Sequence, residues 1–211
     1  MTTVTIIGAG NMARGIGTRW VGEVEQLQIL APTAEHATSL ADELGGAATA
    51  GSADDPIGGA VVVLATPYEG AVDFVEKRGR DLTGKIVVDI TNPIDWASFD
   101  RLVTPPDSSA AREIAARLPG DVAVVKAFNT TFAATLVNGA VSGQPLDVLV
   151  ASDDEAAKQQ VTTLVAAAGM RAIDAGPLRR AQQLEHLGFL HMALQDKLGS
   201  GFASAVKIVT P

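Results

Sequence analysis

The chain has 211 residues, a formal net charge of −8, no cysteine, and 47% apolar residues. That length can bury one substantial core, while the lack of cysteine excludes disulfides, thiolate catalysis and cysteine-based metal sites. The acidic balance without a Lys/Arg cluster argues against a nucleic-acid surface, whose affinity comes from neutralising many phosphates, so a small-molecule partner is expected.

In chain order, residues 3–7 read as a strand, 11–21 as the helix after it and 27–31 as the next strand. Residues 33–44 have helical spacing and end at Gly45 and Gly46, where a C-terminal cap is expected. Residues 60–65 and 85–90 are continuous valine-rich runs, the pattern of strands buried on both faces, with a helix starting between them near Tyr68. A helix over 109–118, a strand over 122–126, a short helix over 132–137 and a strand over 147–151 follow. Ser152-Asp-Asp-Glu155 is a capping-box sequence opening a helix to about Ala168. A strand near 171–174 then precedes a long closing helix over about 178–198. This alternation predicts an α/β fold: a Rossmann-like, doubly wound, mostly parallel sheet with helices on both faces and a long C-terminal helix closing the cleft. No repeat or linker divides it, so residues 1–211 are expected to form one NAD(P)-binding domain with 177–211 as a helical appendage. No apolar run approaches the roughly 20 residues of a membrane helix, and the N-terminus lacks a basic-then-apolar leader, so a cytoplasmic protein is expected.

Gly8-Ala9-Gly10-Asn11-Met12-Ala13 fits the G-x-G-x-x-G/A form and lies between a buried strand and a helix. Gly8 permits the tight turn, Gly10 keeps side-chain atoms away from a pyrophosphate, and Ala13 lets the helix lie close to the strand. The helix N-terminus offers free N–H groups and a positive dipole end to the phosphates. The alternative is that the glycines serve the turn alone. Gly15 and Gly17 are unfavourable inside a helix, and close packing of that helix on the sheet is their expected reason.

An NAD site usually places Asp or Glu at the end of the second strand, whereas an NADP site removes that charge and supplies Arg. Here the strand ends Ala31-Pro32-Thr33, and the first carboxylate, Glu35, lies in the following helix. NADP is therefore favoured by elimination. Thr33, Arg14 and His36 are the candidate phosphate contacts, against the blander readings of a helix N-cap for Thr33 and a solvated surface arginine for Arg14.

The fingerprint together with LATPYEGAVDF, KIVVDITNP, VVKAFNT and DAGPL resembles, in the same order along nearly the whole chain, the NADP-dependent reductases related to deazaflavin (coenzyme F420):NADP oxidoreductase. The resemblance implies a Rossmann domain that binds NADP(H), a C-terminal portion that closes a cleft where the deazaflavin stacks near the nicotinamide, and a homodimer. Members that bind NADP well tend to carry Ser-Arg or a similar basic pair after the second strand, where this chain has Ala31-Pro32-Thr33.

Ligands of such sheets bind at the carboxyl ends of the strands. Ala65, Thr66 and Pro67 follow one valine-rich run, Thr66 being able to present a hydroxyl to a ribose. Thr91 and Asn92 follow the next, with Asn92 able to donate and accept at a carboxamide or ring edge, or else simply to open an Asn-Pro turn. Lys126 ends a buried strand, where lysine needs a partner or a cleft; with Asn129 and Asn92 it is assigned to the catalytic groups. Hydride transfer depends mainly on holding donor carbon against acceptor in a dry cleft, so little acid–base apparatus is required. His186 and His191 lie about 140° apart on one helix and do not form a metal site. The closing helix is apolar over most of its circumference, so Phe189, Leu190 and Met192 are expected to face core, a homodimer interface or a flat ring ligand. Three functions fit: an NADP(H)-dependent oxidoreductase with an F420 or flavin-type acceptor; a reductase of a small carbonyl or imine using Lys126 or Tyr68 as proton donor; or a non-catalytic dinucleotide-binding, redox-sensing protein.

Overall fold

The valine-rich runs form the middle of an eight-stranded sheet in a computed structural model that describes residues 2–210. In order the elements are β1 (Thr3–Ile7), α1 (Asn11–Trp20), β2 (Gln26–Ala31), α2 (Ala34–Leu44), β3 (Ala48–Ser52), β4 (Val61–Leu64), α3 (Tyr68–Arg78), β5 (Ile86–Asp89) and α4 (Ala110–Ala115). Then come β6 (Ala123–Lys126), α5 (Ala133–Asn138), the hairpin β7 (Ala140–Val141) and β8 (Gln144–Pro145), β9 (Asp147–Ser152), α6 (Glu155–Ala167), β10 (Arg171–Gly176), α7 (Ala181–Ala193) and α8 (Gln195–Leu198). The sheet order is β10-β9-β6-β5-β4-β1-β2-β3, parallel throughout except where β9 meets β6 antiparallel. Six of its strands thus follow the doubly wound order, whose direction of winding reverses between β1 and β4.

Each central strand sends alternate residues to opposite faces. Val61 and Val63 of β4 join a core with Ile16 and Trp20 of α1, Leu40 of α2, Leu136 of α5 and Val161 of α6. Val62 and Leu64 join a second core with Phe74 of α3, Ile114 of α4 and Ala181 of α7. Both faces being covered, the strands read as unbroken apolar runs.

Several expectations change in detail. The edge strand β3 has the sequence ATAGS and pairs only with β2. Its residues are half-buried or exposed, so it carries no hydrophobic signature that a sequence could display. The helix after β9 opens at Glu155, with Asp154 rather than Ser152 as cap: the Asp154 carboxylate accepts from the Ala157 amide at 2.8 Å, while the Ser152 hydroxyl donates across the sheet to the Val124 carbonyl. Gly15 and Gly17 serve neighbouring helices rather than the sheet. A Cβ on Gly15 would lie 2.8 Å from Leu136 Cβ in α5, and one on Gly17 would lie 2.6 Å from Leu44 Cδ1 of α2. The long closing helix is preceded by a 3-10 turn over Leu178–Arg180 and breaks at Leu194. There the Gln195 side-chain amide donates to the His191 carbonyl at 2.7 Å.

Beyond α8 the chain returns to the sheet edge. The buried Asp147 carboxylate accepts a two-pronged pair from Arg171 (2.8 and 2.6 Å), one bond from Lys207 Nζ (2.6 Å) and one from the Ile208 amide (2.8 Å). Burial opposes ionisation of Asp147, but these partners outweigh it and hold its pKa at about 2 against an ordinary 3.8. A carboxylate depressed on folding stabilises the fold above its unfolded pKa of about 3.9, and that contribution is lost as pH falls through the folded value. Asp147→Asn is therefore expected to lower the melting temperature at neutral pH, with the gap to the parent closing as pH falls from about 4 to about 2; thermal melts across pH read this directly.

Candidate functional site

The cradle begins where β1 turns into α1. Gly8 has φ +114°, and a Cβ there would stand 2.4 Å from the Ala65 carbonyl oxygen, so no other residue fits without moving backbone. Gly10 differs: its φ is −83°, and an added Cβ would meet nothing within 4 Å. The fold does not demand glycine at this position. The α1 N-terminus has no side-chain cap and no acid in its first turn, so its first amides lack partners and its positive dipole end is uncompensated. Ala13 is buried beneath, against the core.

A cavity of about 380 Å³ opens above this terminus. Gly10, Asn11, Met12, Ala65, Thr66, Pro67, Thr91, Asn92 and Asn129 line it, drawn together from the ends of β1, β4, β5 and β6. Tyr68, Ile90, Trp96, Phe132 and Met192 add larger side chains to the wall. Three lining residues carry a buried polar atom with no hydrogen-bond partner among the described residues: Thr66 Oγ1, Thr91 Oγ1 and Asn129 Oδ1. Buried polar groups are normally satisfied, so this cluster marks a place where a polar ligand would complete the structure. Together with the uncapped helix and the open space at Gly10, it fits a dinucleotide.

The remaining selected residues lie elsewhere. Arg14 pairs with Glu43 of α2 at 2.8 Å and donates to Asn11 Oδ1 at 2.9 Å. Thr33 stands at the N-cap of α2 without making a capping hydrogen bond, and both it and His36 are exposed.

Lys126 is fully buried behind the cavity floor, not in its wall. Its ammonium donates to Asp89 Oδ2 (2.8 Å), Glu185 Oε1 (2.8 Å) and the Thr91 carbonyl (2.5 Å). Burial alone would drive the Lys126 pKa down, but Asp89 and Glu185 carry it above the usual lysine value. Burial raises the Glu185 pKa even though Lys126 opposes it. Glu185 also accepts from the Ala110 amide at 3.0 Å, tying α7 to the start of α4. Asp89 accepts from the Thr91 amide at 2.9 Å. The lysine thus clamps β5, β6 and α7 together and fixes the turn that presents Thr91 and Asn92.

Past Lys126 the chain bends sharply. Phe128 is fully buried with φ +61°, a left-handed conformation costing a bulky residue about 1–2 kcal/mol. Its ring is held edge-on to Trp20 at 5.5 Å. The bend aims Asn129 at Asn92: Asn92 Nδ2 donates to the Asn129 carbonyl (2.8 Å), and Asn129 Nδ2 donates to Asn92 Oδ1 (2.9 Å) and to the Leu184 carbonyl (2.8 Å). Gly188 of α7 lies on this pair, where a Cβ would come within 2.7 Å of the Asn129 carbonyl oxygen. Sequence inspection does not single out Asp89, Glu185, Gly188, Trp96 or Phe132. A carboxylate ending the run KIVVDI and another inside the apolar closing helix were the available signals for the first two.

Residues 3–93 match a family described as NADP oxidoreductase, coenzyme F420-dependent. The chain is 36% identical over 148 residues to the F420-dependent NADP reductase of Methanocaldococcus jannaschii, an alignment that covers 67% of this chain and 65% of that reductase, just under two thirds of its length. It is 30% identical over 215 residues to the F420-dependent NADP reductase of Methanothermobacter marburgensis, covering 93% of each. A solved structure from Arthrobacter sp. FB24, provisionally named an F420-dependent NADP-reductase, matches with TM-score 0.88 and 25% identity over 100% of both chains.

Two substitutions separate what holds the site from what fills it. Lys126→Met leaves two buried carboxylates facing one another and is expected to cost about 3–5 kcal/mol in urea unfolding. Gly10→Ala has room for its methyl group within the fold, so its melting temperature is expected to stay within about 2 °C of the parent, while the Kd for NADPH rises about tenfold or more because the methyl group occupies the approach to the helix amides.

Proposed function

The chain belongs to the coenzyme F420-dependent NADP oxidoreductase family, and from that premise we propose that it transfers a hydride between NADP(H) and a deazaflavin (F420) or flavin-type acceptor. Members of this family use NADP(H) with F420 as the other substrate. The observation that carries the proposal is the single cavity joining the uncapped α1 terminus at Gly10 to the unpartnered polar atoms of Thr66, Thr91 and Asn129.

When bound, the dinucleotide supplies the hydride chemistry through its nicotinamide ring. The amides at the start of α1 would hold the pyrophosphate, the Thr66 and Thr91 hydroxyls the neighbouring sugar and ring, and Asn129 Oδ1 would accept from the carboxamide. Ile90, Phe132 and Met192 make the wall apolar and keep water from the reacting atoms. For the adenosine phosphate, the absence of a carboxylate after β2 removes repulsion, and the Thr33 hydroxyl is free of capping duty. Arg14 can join them by exchanging Glu43 for the phosphate, because an exposed ion pair of this kind holds by only about 0–1 kcal/mol.

Residues 1–211 act in this reading as one dinucleotide-binding unit whose 177–211 segment closes the cleft. It works in the cytoplasm as a homodimer joined through the exposed Leu190, Leu194 and Leu198 of α7 and α8; no helix among the described residues is long and apolar enough to cross a membrane.

A second reading, reduction of a small carbonyl or imine, is favoured by one feature. Tyr68 lines the cavity, and its phenol pKa is raised, first by burial and then by the negative charge of Glu113. It therefore stays protonated as a donor.

NADPH oxidation with coenzyme F420, riboflavin and a cyclic imine as acceptors decides between them. Turnover with F420 or riboflavin is expected, and tight NADPH binding without turnover on any acceptor overturns the proposal. NADH binding as tightly as NADPH overturns the cofactor preference. Tyr68→Phe is expected to change the ring-acceptor rate by less than about twofold; turnover of the cyclic imine by the parent that falls about a hundredfold in this variant would make Tyr68 a general acid and favour the second reading.

A further inference from the structure

The loop after β5 carries a large side chain that neither the core nor the cradle employs. Ile94 and Leu102 bridge its two arms, and Arg101 pairs with Asp95 at 2.9 Å. The Asp95 carboxylate also accepts from the amides of Ala97 (3.1 Å) and Ser98 (3.4 Å), which closes the tip into a turn. Trp96 sits on that turn, 63% exposed, yet it lines the same cavity as Gly10, Asn92 and Met192.

Its position is built. The indole lies 5.9 Å from the Phe99 ring, and Phe99 meets Phe189 of α7 edge-on at 5.4 Å. Phe99 holds φ +50°, a conformation that a bulky residue keeps only where its surroundings impose it. An aromatic ladder therefore runs from the closing helix to the cleft mouth and ends in an indole with most of its surface in water. Tryptophan is strongly buried on average, and the structure accounts for this exception only through the cavity the indole borders.

We propose that Trp96 is the platform on which a planar, fused-ring acceptor lies against the cofactor cleft, and that it selects such acceptors over small carbonyls or imines. The proposal rests on the hydride-transfer reading above and assigns the acceptor end of that site. The electron-rich face of an indole is matched by the electron-poor ring system of an oxidised deazaflavin or flavin, for which offset stacking is favourable. A ketone or imine of a few atoms offers no π-surface to stack. The loop also stands beyond Asn92, so a ring on Trp96 borders the same cavity as the groups assigned to the nicotinamide.

The chain has two tryptophans, and Trp20 is fully buried, so emission that acrylamide quenches comes from Trp96. In protein saturated with NADP+, saturating riboflavin or F420 is expected to remove the acrylamide-accessible part of the emission, after inner-filter correction, and a cyclic imine is not. Trp96→Ala is expected to raise KM for F420 or riboflavin roughly threefold to tenfold, the range one aromatic pair supplies. Its Kd for NADPH stays within about twofold, and Trp96→Phe recovers most of the loss. Unchanged quenching at saturating acceptor, or an unchanged KM in Trp96→Ala, overturns this assignment while leaving the hydride-transfer reading intact. Failure of the parent protein to reduce either ring acceptor overturns both.

Discussion

A single ammonium with two carboxylates around it holds the cleft side of this molecule in place. Lys126 leaves the end of β6 with no access to water and is bound by Asp89 of β5, Glu185 of α7 and the Thr91 carbonyl. Taking these charges out of water is unfavourable by several kcal/mol for each ion, and the group is tolerated because every charge has a partner and the remaining carboxylate oxygens accept backbone amides. Such an arrangement has one good geometry. Shifting β5 against β6, or lifting α7 from the sheet, would leave a buried charge without its partner.

The consequence is felt at the cavity. With the Thr91 carbonyl pinned from below and its amide held by Asp89, Asn92 is delivered to the cleft in a fixed orientation. The strained turn at Phe128 delivers Asn129 from the neighbouring strand, and the two asparagines hold one another. Gly188 allows α7 to lie on them at backbone distance. Rigid positioning of this kind is what a hydride-transfer site requires, because the reacting carbons must be held within a few ångströms while the cofactor supplies the reactivity.

The two halves of the cavity are built by different means. The cradle side is backbone: a glycine turn and a bare helix terminus, whose contribution is free amides and a dipole. The opposite wall, with Trp96, Phe132 and Met192, is side-chain surface contributed by a loop, a helix entrance and the closing helix. A backbone turn of this kind says little about an acceptor; the side-chain wall is where members of one fold diverge.

The alternation of apolar runs and helical segments determined the α/β class and the parallel centre of the sheet, because strands buried on both faces must be continuously apolar and crossover helices must be amphipathic. The glycine fingerprint and the strand-end segments were legible for a related reason: a turn so tight that an added Cβ would stand 2.4 Å from a carbonyl oxygen, as at Gly8, restricts the residue type locally. Elements without such a restriction were invisible. The edge strand β3 has one partner and little burial, and the break at Leu194, where the Gln195 side chain takes the carbonyl of His191, leaves no mark in the apolar periodicity. Lys126 showed the limit most clearly, since a lysine ending a buried strand must have either a cleft or a partner, and sequence cannot tell which. Its partners lie 37 and 59 positions away along the chain. By itself, then, the sequence determined a glycine turn and a bare helix terminus at the head of a doubly wound sheet, through local backbone and periodicity rules. Only the tertiary structure decided that Lys126 braces the site from behind and that Trp96 borders its mouth, because both depend on which distant segments the chain brings together.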